Sequence, residues 1–227
     1  MSIVVAIDGP AGSGKGTITK LVGEKLGLVN IDTGATFRCV ALNMIQENID
    51  IKDEEKIQKI LNKIQIQMYP DGKIFLNGKE VTHRIRENDV NDIVSPVSTL
   101  SIVRNKLLEV QRKIAEGKNV IMEGRDIGTV VFPNADVKIY LDASPEERAK
   151  RRVIQNKEKG IECSYEEVLE GIKDRDKRDS TRKIAPLKQA EDAIYIDSSN
   201  LSIEEVTEKI IKIINFHFGD ASKKEKN

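Results

Sequence analysis

Apolar positions along this chain keep two rhythms, and the points where one gives way to the other mark out its elements. An unbroken apolar run at 3–7 reads as a buried strand. After a glycine-rich stretch, Ile18, Leu21, Val22 and Leu26 recur at the spacing of one helix face, and Gly27 ends that helix. "LVNID" at 28–32 predicts a second strand, followed by a helix with Phe37, Val40, Ala41, Met44 and Ile45 inward. Residues 53–64 repeat the helical pattern through Ile57, Ile60, Leu61 and Ile64. From 65 to 82 the period shortens to two, in short runs broken at Asp71-Gly72 and Asn77-Gly78, which predicts a small antiparallel insertion. Helical spacing returns at 87–99 and 101–116, and "NVIME" (119–123), "DVKIYLD" (136–142) and "AIYID" (193–197) read as further strands. Such alternation predicts an α/β fold, a mostly parallel sheet with helices on both faces. Ser144 with Glu147, Ser164 with Glu167 and Ser202 with Glu205 carry the pattern of a reciprocal helix cap, and "DASKKEKN" (220–227) reads as a solvated tail.

Charge changes this picture by exclusion. Lys and Arg together number 37, and so do Asp and Glu, so there is no bulk basic field for nucleic acid or an anionic membrane surface. An anion site must be built locally. The start has neither a basic segment nor a small-residue cleavage pattern, and no apolar stretch approaches membrane-spanning length, which points to the cytoplasm. Cys39 and Cys163 stand far apart without metal-ligand spacing and read as reduced thiols, and His83 and His217 receive no role.

The glycine-rich stretch supplies the local site. "IDGPAGSGKGT" matches G-x-x-x-x-G-K-[ST] at Gly9, Gly14 and Lys15, with Gly16 in place of the hydroxyl residue and Thr17 one position later. Loop amides turned inward, a helix N-terminus and one ammonium make a cradle for polyphosphate, formed by Gly9, Pro10, Ala11, Gly12, Ser13, Gly14, Lys15, Gly16 and Thr17. A dinucleotide fingerprint fits poorly, since Thr17 stands where its third glycine belongs. Neither Asn105-Lys106 nor Asn156-Lys157 continues to the aspartate of a guanine-reading motif.

A second phosphate-bearing ligand would call for arginines distant in sequence and convergent in space. "DTGATFR" places Asp32, Thr33 and Arg38 at the carboxyl edge of a strand, and "EGRDIGT" does the same for Arg125 and Asp126. "KDRDKRDSTR" puts Arg175, Arg178 and Arg182 on one helix face with Asp176 and Asp179 beside it; a solvated, salt-bridged helix explains that run equally well.

"DGPAGSGKGT", "DTGATFR", "GRDIGTVVFP", "VKIYLDAS" and "RDKRDSTRKIAPL", in this order and spacing, closely resemble the bacterial cytidylate kinase family over nearly the whole chain. The resemblance implies a P-loop NTPase three-layer fold forming a single nucleoside monophosphate kinase unit. Its CORE would be about 1–36, 84–147 and 164–220, its antiparallel NMP-binding insert about 37–83, its short LID about 148–163 and its tail 220–227. It also implies transfer of the ATP γ-phosphate to CMP or dCMP by a monomer, with Mg²⁺ arriving on ATP and Thr17 near that ion. Carried over by position, Thr33, Arg38, Arg125 and Arg182 would hold the acceptor phosphate, Ser95, Arg104 and Asp126 would read cytosine, and Arg175 with Asp179 would hold the ribose. Lys15, Arg125, Arg152 and Arg182 would carry the transfer, with Arg148, Arg151 and Lys157 further LID cations. Phe37 departs from the family's frequent tyrosine, and Thr33 replaces a frequent serine.

Overall fold

A computed structural model describes residues 2–158 and 160–224. In chain order the elements are β1 (Val4–Asp8), α1 (Lys15–Leu26), β2 (Val29–Asp32), α2 (Thr33–Gln46), α3 (Glu54–Lys63), β3 (Ile66–Met68), β4 (Ile74–Leu76) and β5 (Lys79–Glu80). A 3-10 turn (Arg84–Arg86), α4 (Asn88–Val97), α5 (Ser101–Ala115), β6 (Val120–Gly124) and a π-helical turn (Ile127–Val131) follow. The chain then forms β7 (Val137–Asp142), α6 (Pro145–Glu158), α7 (Tyr165–Thr181), β8 (Ile194–Asp197) and α8 (Ile203–Lys224). The helix α8 takes in 220–224, part of the expected tail; 225–227 lie outside the described residues.

The chain divides into two compact units, Ile3–Val29 with Asn119–Asn227, and Asn30–Lys118. In the first, β1 pairs in parallel with β6 on one side and β7 on the other, and β7 pairs in parallel with β8. The full sheet order is β2-β6-β1-β7-β8, with β2 entering at Val29, whose N–H donates to the Asn119 carbonyl at 2.8 Å. The apolar run at 3–7 is therefore central, and Val5, Ala6 and Ile7 are wholly buried. One face of this sheet packs Val5, Ile7, Ile139 and Leu141 against Ile18 and Val22 of α1 and Val206, Ile210 and Ile214 of α8.

The second unit has its own core. The helix α2 is buried on more sides than its predicted face, with Cys39 and Leu42 inside beside Val40, Ala41 and Met44, and these pack with Ile57 and Leu61 of α3 and Val103 and Leu107 of α5. The period-two stretch forms the antiparallel sheet β3-β4-β5, turned at Asn77 and Gly78, both with positive φ.

Two reciprocal caps form as expected. The Ser164 and Glu167 side chains each accept from the other's backbone N–H, and so do Ser202 and Glu205. At Ser144 only half the box forms: its hydroxyl accepts from the Glu147 amide at 3.2 Å, but its own N–H donates to the Ser199 hydroxyl, and the Glu147 carboxylate turns to Arg151. A long-range partner and a nearby guanidinium outcompete the local bond.

Candidate active site

The loop between β1 and α1 is shaped by close approach. Gly9 has φ +153°, and a Cβ there would stand 2.0 Å from the Leu141 carbonyl oxygen. Close approach also accounts for Gly16, where the motif expects a hydroxyl: a Cβ would stand 3.0 Å from Oε1 of Glu123, at the end of β6. The space that Ser or Thr would fill is held by a carboxylate. The Lys15 ammonium is folded into its own loop, donating to the Pro10 carbonyl at 2.6 Å and the Ser13 hydroxyl at 3.2 Å. Burial pulls its pKa down to about 7; Arg125 and Arg175 push the same way, against Glu123 and Asp8.

Around this loop the first unit gathers charges from stretches distant in the chain. Arg125 Nε donates to Asp179 at 2.9 Å, and Arg182 lies 3.4 Å from Asp126 and 3.8 Å from Asp179. The helix α7 ends at Thr181, so Arg182 is extended just beyond it, its Nε held by the Ala185 carbonyl at 2.7 Å. Of the arginines expected on one face, Arg178 is exposed, whereas Arg175 is half-buried and Asp179 is buried between two guanidiniums. Asp8 closes β1 and is buried; its carboxylate accepts from the amides of Ile127 and Gly128 at 2.8 and 2.7 Å. Burial pushes its carboxyl up to about 6, against those two bonds.

Arg148 is no free LID cation. Its guanidinium is buried, forks onto Asp176 at 3.0 and 2.6 Å, and donates to the carbonyls of Ala143 and Ala11. Arg151 is likewise engaged, with the Ser198 carbonyl at 2.6 Å, while Arg152 and Lys157 are exposed on α6. A cavity of about 470 Å³ opens beside Pro10, lined by Tyr140, Asp142, Asp176 and Tyr195; it holds none of the expected acceptor residues.

The second unit brings together another set. Asp32 caps α2 by accepting from the Ala35 amide at 3.1 Å, and it binds Arg38 at 2.6 Å and Arg86 at 3.1 Å. Burial raises the Asp32 carboxyl, but these two guanidiniums and the amide outweigh it and hold the group below the usual carboxylate range. Thr33 opens α2 and is buried. Arg104 is buried, donates to the Ser98 carbonyl at 3.1 Å and lies over the Phe37 ring at 5.2 Å, so the ring that replaces tyrosine supports a cation with its face. Ser95 sits in α4, half-buried, its carbonyl accepting from Ser98. The expected acceptor residues thus fall into two groups on different units.

Sequence reasoning missed Asp8, Glu123 and Arg86. A readable signal existed for Glu123 alone, because the missing side chain at 16 implies something else in its place. Among the described residues no helix is long and apolar enough to cross a membrane. Cys39 and Cys163 are free, and burial pushes the Cys39 thiol up to about 12.

The family model for cytidylate kinase matches residues 5–216. A cytidylate kinase from Fusobacterium nucleatum is 51% identical over 94% of this chain and 97% of its own. One from Bacillus subtilis is 46% identical over 92% and 95%. Among solved structures, an uncharacterized protein from Eubacterium ventriosum superposes with a TM-score of 0.53 at 13% identity, over 94% of this chain and 99% of that one, a likeness of fold. On the match of motif, sheet and nearly full-length identity together, the chain belongs to the cytidylate kinase family.

Proposed function

We propose that this protein transfers the γ-phosphate of ATP to CMP or dCMP by direct in-line displacement, giving ADP and CDP or dCDP. The observation that carries this reading is geometric: a loop too tight for a side chain at Gly9 folds the Lys15 ammonium inward onto Pro10 and Ser13, and in the same unit Arg125 and Arg182 are held at Asp179 and Asp126. Positive charges concentrated at the end of a phosphate-cradling loop suit two phosphorylated ligands meeting head to head.

On this reading the amides of 9–17 and Lys15 hold the donor, and Lys15 exchanges the Pro10 carbonyl for phosphate oxygens. Thr33, Arg38, Arg125 and Arg182 hold the acceptor phosphate, and Arg175 with Asp179 hold the ribose. Asp126 accepts from the exocyclic amine of cytosine while Ser95 and Arg104 meet its ring acceptors; uracil would set a carbonyl against the Asp126 carboxylate. Arg152 adds charge at the transferring phosphate while the LID, 148–163, excludes water. The residues at the loop fit a magnesium ion brought by ATP: the Glu123 carboxylate beside the side-chain-free Gly16 is an oxygen donor of the kind a hard cation that keeps several waters takes, and the Thr17 hydroxyl would be a further one. When bound, that ion neutralises charge on the β- and γ-phosphates. The same reading has the protein acting as a cytoplasmic monomer.

A coupled assay of ADP release with CMP, dCMP, UMP and AMP tests the assignment. We expect kcat/KM for CMP to exceed that for UMP by at least ~10²-fold, because a site built to bind an amine leaves polar groups unpaired with the wrong base. Equal or faster turnover of UMP, or turnover of AMP alone, contradicts it.

A further inference from the structure

We infer that Asp8 is a positioning residue for acceptor choice: from the end of β1 it holds the turn that carries Asp126, and so couples the phosphate loop to the reading of the base. The inference rests on the reading of Asp126 as the group that meets the cytosine amine.

The π-helical turn Ile127–Val131 starts directly after Asp126, whose carbonyl accepts from the amides of Val130 and Val131 at 2.9 and 3.1 Å. The first amides of such a turn have no partner within it. Here Ile127 and Gly128 donate one each to the two oxygens of Asp8, at 2.8 and 2.7 Å, from 119 and 120 residues away. That is a helix cap supplied by a distant strand. Asp8 immediately precedes Gly9, so the residue that opens the phosphate loop also fixes the backbone on which Asp126 stands. Gly128 makes the fit close: a Cβ there would stand 3.1 Å from Cδ of Lys138 and 3.4 Å from Oδ2 of Asp8. Lys138, on β7, pins the far side of the segment by donating to the Pro133 carbonyl and to Asp192.

A buried carboxylate is an expensive cap. Burial works against the charge of Asp8, and the nearby Asp126 adds to that burden, with Lys15 offsetting part of it. An ionised group has one advantage over a neutral one at this place: both oxygens accept, so both amides are held at once. Asparagine would hold one amide and turn N–H against the other.

The test compares kcat/KM for CMP and UMP in the wild type, Asp8→Asn, Asp126→Asn and the double variant, with Tm measured for each. We expect Asp8→Asn to lower the CMP-to-UMP ratio by on the order of tenfold to a hundredfold, the scale of a misplacement of about 1 Å. In the Asp126→Asn background it should lower that ratio little further, because the two act through one turn. Gly128→Ala, which displaces the same turn while keeping Asp8, should lower the ratio in the same direction and covers the case of an Asp8 variant that does not fold. Equal loss for both substrates, tracking Tm, or two independent additive losses overturns the role of Asp8. If Asp126→Asn leaves the ratio unchanged, the reading of the base site itself fails, whatever Asp8→Asn does.

Discussion

Gly9→Ala is expected to reduce kcat/KM by ~10³-fold or more and to lower stability by a few kcal/mol. The added methyl would sit 2.0 Å from the Leu141 carbonyl oxygen and 3.0 Å from its carbon, both backbone atoms of the neighbouring strand β7. No rotamer relieves a backbone clash. Either β1 and β7 part, or the loop swings out and its amides no longer converge on a phosphate. Conformational strain alone would be a lesser effect, and Gly27→Ala isolates it: Gly27 ends α1 at φ +67° with nothing within 4 Å of an added Cβ. That variant should lose only about 1 kcal/mol and keep its activity. Steady-state kinetics and thermal unfolding on both variants check the pair; a Gly9→Ala enzyme as active and as stable as Gly27→Ala contradicts the close-approach argument.

Arg182→Met is expected to lower kcat/KM for CMP by ~10³-fold, the scale of losing a guanidinium at a transferring phosphate, and to lower stability by about 3 kcal/mol. Arg182 has a side chain only 6% exposed between Asp126 and Asp179, whose side chains are each 9% exposed. Methionine fills much the same volume but leaves those carboxylates short of a counter-charge, although Asp179 keeps Arg125 at 2.9 Å. Arg182→Lys separates the two effects. It restores charge and part of the stability, yet a compact ammonium cannot reproduce a planar fork, so activity should stay low. Full CMP activity in Arg182→Met would remove Arg182 from the acceptor site.

What the sequence disclosed follows from how local each feature is. The loop at 9–17 was readable because its function is written in consecutive residues, and the hairpin at Asn77-Gly78 because a positive φ at both residues leaves few alternatives. The arginine-rich run was readable only as a helix. Which of its side chains turn inward depends on Arg148, which binds Asp176 from 28 residues away, and on Arg125, which binds Asp179 from 54. Arg148, expected as one of the LID cations, is also tied to the Ala11 carbonyl, 137 residues earlier, a partner that nothing local to α6 reveals. The half-formed cap at Ser144 is the same lesson at smaller scale: the pattern was present, and a hydroxyl 55 residues distant took the bond. Asp32, expected only as part of a ligand-bearing edge, gathers Arg38 and Arg86 because the fold brings the 3-10 turn back to the start of α2.

The most direct measurement is a crystal structure of the protein with cytidine and adenosine joined through five phosphates, a mimic of both substrates at once. The phosphates are expected to run from the amides of 9–17 and Lys15 to Arg125 and Arg182, with the cytosine amine against Asp126. Phosphates bound elsewhere with the glycine loop empty, or cytosine seated away from Asp126, would contradict this reading.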